Sequence, residues 1–143
     1  MSLVNKMQIS FPSRSINESF ARVSTAAFIS QLDPTLEEIS DIKTIVSEAV
    51  TNCIVHGYAE RDGDIIISVY IYENRRVRIT VKDKGIGISD IKQAMEACFT
   101  TGSEDRAGMG FTIMQTFSDK LKVRSVPGKG TVVTMEKILC PRQ

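Results

Sequence analysis

Between Asp64 and Asp83, two β-branched runs, DIIISVYIY and RVRITVKD, are separated only by Glu73-Asn74-Arg75. A connection this short makes the two strands neighbours in a hairpin. Val77, Ile79 and Val81 alternate onto one face of the second strand, and the same period carries Asp83 onto that face at the strand's end. The apolar stripe therefore terminates in a carboxylate. A second hairpin is predicted in KLKVRSVPGKGTVVTMEKI, turning at Pro127-Gly128-Lys129-Gly130.

One face of such strands needs a cover, and the sequence supplies helices elsewhere along the chain. Ile16, Phe20, Val23 and Ala27 recur at helical spacing up to Ile29, with Arg22 on the solvent side and a break at Asp33-Pro34. Thr35, with Glu37 and Glu38 in the first turn, opens a second helix carried by Ile42, Ile45, Val46, Ala49 and Cys53 until Gly57 ends it. Ser89 suits the cap of a short helix through Ala97, the polar segment CFTTGSEDRAG follows, and FTIMQTF begins a helix straight after Gly108-Met109-Gly110. Hairpin-joined strands with helices in separate blocks predict an α+β fold, a two-layer sandwich of a mostly antiparallel mixed sheet with helices on one face.

No repeat, low-complexity tract or linker divides the 143 residues, so 1–143 are expected to form one domain. Eighteen basic and seventeen acidic residues leave a net charge of +1, which gives no overall field toward nucleic acid or an anionic membrane. Cys53, Cys98 and Cys140 are odd in number and scattered, without metal-ligand spacing, as expected of a reducing cytoplasm. The N-terminus has no long apolar stretch, and no run approaches a membrane span.

Chemistry is signalled at four places. Glu48 and Asn52, one turn apart, fall at the border of the second helix's apolar stripe and would look into a cleft between helix and sheet. There a carboxylate suits proton acceptance from a hydroxyl or water, and an amide oxygen suits Mg²⁺; the pattern also fits ordinary boundary residues. Asp83 at the end of a core stripe needs donors, of which a purine amine is one, and Gly85 and Gly87 permit close approach of a flat ligand, although a polar turn reads equally well. Gly108-Met109-Gly110 ahead of a helix would leave backbone N–H groups open to phosphate, with Arg106 placed to reach a terminal phosphate. Thr131, in the PGKGT turn, would face the same cleft. The GMG lacks the third glycine of a dinucleotide fingerprint and PGKGT lacks the upstream glycine of a P-loop. His56 has no partner residues at catalytic or ligand spacing, and Met109, Met114, Phe111 and Phe117 read as packing residues.

The order of these elements, E-x-x-x-N on a helix, D-x-G-x-G after a strand, a glycine-containing segment, G-x-G opening a helix and G-x-G-T in a hairpin, resembles the boxes of the GHKL ATPase superfamily. Within it, NESFARVSTAAFISQLDPTLEEISDIKTIVSEAVTNCIVHGY and FTTGSEDRAGMGFTIM are similar to the anti-sigma F family of spore-forming bacteria, small serine kinases that bind a sigma factor. The resemblance implies a Bergerat ATP-binding fold in which Asn52 holds Mg²⁺ against the ATP phosphates and Glu48 is the general base. It further implies that Asp83 binds adenine above Gly85 and Gly87, with Thr131 at the back of the site. Residues 98–107 would form an ATP lid, with Thr101 contacting nucleotide and Arg106 directed at the γ-phosphate, while Gly108, Met109 and Gly110 contact phosphate. By resemblance the partners are a sigma-F-type factor and an anti-anti-sigma protein phosphorylated on serine, and the chain is a cytoplasmic homodimer with Arg22 on the partner surface. A stress-response-type binding module and a detached histidine-kinase ATPase module are the alternatives; neither direct nucleic-acid binding nor a membrane is implied.

Overall fold

In the computed structural model, which describes residues 2–59, 61–88 and 106–141, both hairpins lie in one sheet. Strand β2 (Asp64–Tyr72) pairs antiparallel with β3 (Arg76–Asp83), and β4 (Lys120–Val126) with β5 (Gly130–Ile138). β5 then lies against β3, with Val133 opposite Val81 and Thr131 opposite Asp83. A further strand, β1 (Leu3–Pro12), gives the order β1-β2-β3-β5-β4. Every pairing among the described residues is antiparallel, so the parallel component of a mixed sheet is not found there.

β1 was not anticipated, although Met7, Ile9 and Phe11 alternate toward the core side ahead of Pro12. Pro12 closes the strand at a sheet edge, where its missing N–H costs no ladder bond. The β2–β3 turn places Asn74 and Arg75 at φ 63° and 62°. Arg75 is held there because its guanidinium donates to the carbonyls of Leu32 and Cys140, at 2.7 and 2.8 Å.

Helix α1 (Asn17–Ile29) and helix α2 (Leu36–Asn52) cover one face of the sheet with α3 (Arg106–Phe117). The stripe expected on α1 is wrong in its facing. Ile16, Phe20 and Val23 are 80%, 51% and 54% exposed, whereas Ala21, Thr25, Ala26 and Ile29 are buried. The small side chains let α1 pack closely against α2, and that close approach decides the facing against the larger residues.

α2 follows the expectation. Thr35 Oγ1 accepts from the Glu38 amide and Glu38 Oε1 accepts from the Thr35 amide, a reciprocal capping box. Ile42, Ile45, Val46, Ala49 and Val50 are buried against Ile65, Ile67, Val69, Val77, Ile79 and Val81. Beyond Asn52 the helix widens into a π-helical turn, Cys53–Gly57. Such turns interrupt the ordinary ladder and redirect a helix end, often at functional sites.

α3 starts at Arg106, so Gly108-Met109-Gly110 lie inside its first turns and not in a loop before it. The first amides of a helix lack intrahelical acceptors wherever the glycines fall. The short helix expected over 89–97 and the segment containing Cys98 and Thr101 lie outside the described residues, as do the side chains of 106–108.

Candidate functional site

The site is built where β3 ends beneath the π turn of α2. Asp83 is 5% exposed, and its Oδ1 accepts the Gly85 amide at 2.9 Å. The Gly57 carbonyl accepts the Ile86 amide at 2.8 Å, clipping the loop after β3 to the end of α2. The two glycines make this possible: a Cβ on Gly85 would lie 1.9 Å from Gly57 O, and one on Gly57 would lie 2.8 Å from Asp83 Oδ2. Tyr58 adds a second tie, donating from its hydroxyl to Asp64 O at 2.5 Å and accepting the Lys84 amide at 2.7 Å.

On the other side the loop is held by the β4–β5 turn. The Gly128 amide donates to Ile86 O at 2.6 Å, and Gly87, at φ +77°, passes so close that a Cβ would meet Val126 O at 2.4 Å. Ser125 Oγ accepts the Ile88 amide at 2.7 Å, donates to Gly130 O, and forms a 2.8 Å hydrogen bond with Thr131 Oγ1. Thr131, 7% exposed, thus stands beside Asp83 on the neighbouring strand.

These elements enclose a mainly apolar cavity of about 290 Å³ whose walls include Ala49, Ile86, Ile88, Phe111 and Val133, with Asp83, Asn52 and Thr131 as polar points. Its volume is near the lower end of small-molecule sites and suits one flat ring system. Cys53 also lines it. Burial pushes the Cys53 thiol well above its usual range, and the Asp83 charge and a hydrogen bond to that carboxylate add to the effect. The group therefore stays a neutral thiol beside a carboxylate. His56 forms part of the wall, a position that its isolation in the sequence did not suggest.

Glu48 and Asn52 are half-buried on α2, facing the first turns of α3. A Cβ on Gly110 would lie 3.1 Å from Glu48 Oε2 and 3.2 Å from Asn52 Oδ1 and Nδ2, so this glycine lets α3 reach the two polar groups. Asn52 Nδ2 is buried without a hydrogen-bond partner among the described residues. A buried amide in that state fits a site completed by a ligand. Mg²⁺ retains several waters and takes few protein ligands, so the amide oxygen of Asn52 would suffice beside phosphate oxygens. Met109, read as a packing residue, is instead 58% exposed, whereas Phe111 and Met114 are buried.

Glu48 faces a second space as well. A groove of about 430 Å³ between α1 and α2 is lined by Arg22, Ser40, Lys43, Thr44, Ser47 and Glu48, together with exposed Val23. Arg22 and Glu48, from different helices, thus share one groove, and Arg22 pairs with Glu18 at 3.8 Å. Of the residues singled out in the sequence, the structure brings Asp83, Asn52 and Thr131 to one cavity and sets Glu48 one turn before Asn52; Gly57, read only as a helix end, and Ser125 were not singled out. Among the described residues no helix is long and apolar enough to cross a membrane.

A family model described as the histidine kinase-like ATPase domain matches residues 11–137. The chain is 58% identical over 140 residues to an anti-sigma F factor of Thermoanaerobacter sp. (strain X514), covering 97% of each. It is 57% identical over 136 residues to an anti-sigma F factor of Caldanaerobacter subterraneus subsp. tengcongensis, covering 94% of each. Among solved structures, the RsbU and RsbW domains of a Mycobacterium tuberculosis protein share its fold with a TM-score of 0.72 at 18% identity, over 98% of this chain and 34% of that one.

Proposed function

The chain belongs to the anti-sigma F factor family of histidine kinase-like ATPases, and from that premise we propose that it is an ATP-dependent serine kinase that also binds a sigma factor. Adenine occupies the cavity beneath the π turn, where the Asp83 carboxylate accepts a hydrogen bond from the exocyclic amine. The substrate hydroxyl belongs to a serine of an anti-anti-sigma protein. The sigma factor is bound by a homodimer, with Arg22 part of the partner surface; these assignments rest on the family.

The observation that carries the kinase reading is the position of Glu48, which meets Gly110 of α3 together with Asn52, a residue of the cavity wall, and also lines the Arg22 groove. A hydroxyl arriving through the groove meets a carboxylate next to the place where phosphates would lie. Bound Mg-ATP supplies the γ-phosphoryl group, and Mg²⁺ neutralises charge on the phosphate oxygens. Asn52 would give its amide oxygen to the metal, and the leading amides of α3 would bind the phosphates at the positive end of the helix dipole. Glu48 takes the serine proton as the serine oxygen bonds to phosphorus and the bond to the departing ADP breaks; Arg106 donates to the transferring group. Thr101 and Met109 contact the nucleotide, by family resemblance.

Glu48→Gln is the test. Phosphoserine formation on the partner, followed by mass spectrometry, is expected to fall roughly 10²–10⁴-fold, while ATP affinity measured by calorimetry stays near that of the parent. Undiminished transfer would remove Glu48 from the role of base and leave a nucleotide-controlled binding protein.

A further inference from the structure

The face of the sheet turned away from the helices has a composition that the whole-chain charge conceals. On this face β4 presents Lys120, Lys122 and Arg124, and β3 presents Arg76, Arg78 and Lys82. β1 adds Lys6, opposite Tyr70. Against these seven cations stand two carboxylates among the described strand residues: Asp64 at the far end of β2, and Glu136, already paired with Arg78 at 3.2 Å and near Arg76 at 3.9 Å. A chain with eighteen basic and seventeen acidic residues has therefore concentrated positive charge on one side.

The face is also shaped. A groove of about 970 Å³ runs along it, with Tyr70 and Tyr72 on one wall and Lys120, Lys122 and Arg124 on the other. Three inter-strand steps separate β2 from β4, about 14 Å, which admits a helix about 10–12 Å across. Cations at alternate positions of β4 repeat about every 6.6–6.8 Å, and carboxylates four residues apart on a helix repeat about every 6 Å. The two rows match closely enough to pair.

We propose that the outer face of the sheet is a docking groove for an acidic helix of a partner protein, its carboxylates toward Lys120, Lys122 and Arg124 and its apolar side toward Tyr70 and Tyr72. Nucleic acid would need an open aromatic platform as well as cations. Here the two tyrosine rings stack on each other at 6.4 Å, and the Arg78 guanidinium covers Tyr72 at 5.1 Å from the ring centre. A second copy of this chain would bring like charge to like charge. The groove lies across the sheet from the cavity, so this inference goes beyond the kinase reading.

The experiment uses the full chain and a labelled helical peptide with glutamates at every fourth residue and leucines beside them, followed by fluorescence anisotropy at low salt. A scrambled peptide, single-stranded oligothymidylate and phosphatidylserine vesicles are run alongside. The helical peptide is expected to bind best, and the double variant Lys122→Glu, Arg124→Glu to bind it about tenfold or more weakly, as does high salt. Mg-ATP affinity of the same variant, read by calorimetry, should be unchanged, which separates loss of docking from loss of fold or of the kinase site. Equal peptide binding by the double variant, or preference for the scrambled peptide, the oligonucleotide or the vesicles, would overturn the proposal.

Discussion

Gly57 lies so close to Asp83 that a Cβ on the glycine would stand 2.8 Å from Oδ2 of the carboxylate. The contact joins the end of α2 to the end of β3 and fixes where the carboxylate points into the cavity. Gly57→Ala is therefore expected to displace Asp83. ATP affinity by calorimetry should fall about tenfold or more, corresponding to about 1.4 kcal/mol or more.

Asp83→Asn keeps the size of the side chain and removes its charge. A hydrogen bond to a charged acceptor contributes about 1.5–3 kcal/mol, so ATP affinity should drop roughly 10- to 100-fold. Near-parental affinity in the same titration would refute the assignment of Asp83 to adenine.

Gly110→Ala sets two effects against each other. Alanine favours the helix by roughly 0.5–1 kcal/mol, but its Cβ would come within 3.1–3.2 Å of Glu48 and Asn52. Thermal stability is expected to hold or rise slightly. Phosphotransfer in single turnovers should fall about tenfold or more, since small displacements near reacting groups are costly. Parallel changes in both readouts would count against a site role for Gly110.

Glu38 gives a pH-dependent contribution to stability. Burial disfavours its charge, but hydrogen bonds from the Thr35 and Cys140 amides and the Thr35 hydroxyl, with the Arg75 charge, outweigh burial and hold its carboxyl below 4.5. A carboxyl lowered on folding stabilises above its unfolded value and loses that contribution as pH falls through its folded value. Glu38→Gln should cost about 1–2 kcal/mol near neutrality, and the gap to the parent in urea unfolding should narrow as pH drops below 4.5. A gap independent of pH would assign the loss to packing.

The two hairpins, the long capped helix α2 and the placing of Asp83 at the end of a core stripe were legible in the residues alone, because these follow from local periodicity and turn chemistry. The sequence also put Glu48 and Asn52 on one border, since their spacing fixes a helical face. It left β1 unread despite the alternation of Met7, Ile9 and Phe11, because five alternating residues at an edge carry little signal beside longer elements. The facing of α1 was decided by tertiary packing, where Ala21, Thr25 and Ala26 admit close approach and the larger Phe20 and Val23 do not. Only the tertiary structure brought Gly57 beneath Asp83, Gly110 against Glu48 and Asn52, and the scattered cations of three strands onto one face. Contacts between residues tens of positions apart depend on how strands order in a sheet, and no local pattern encodes that order.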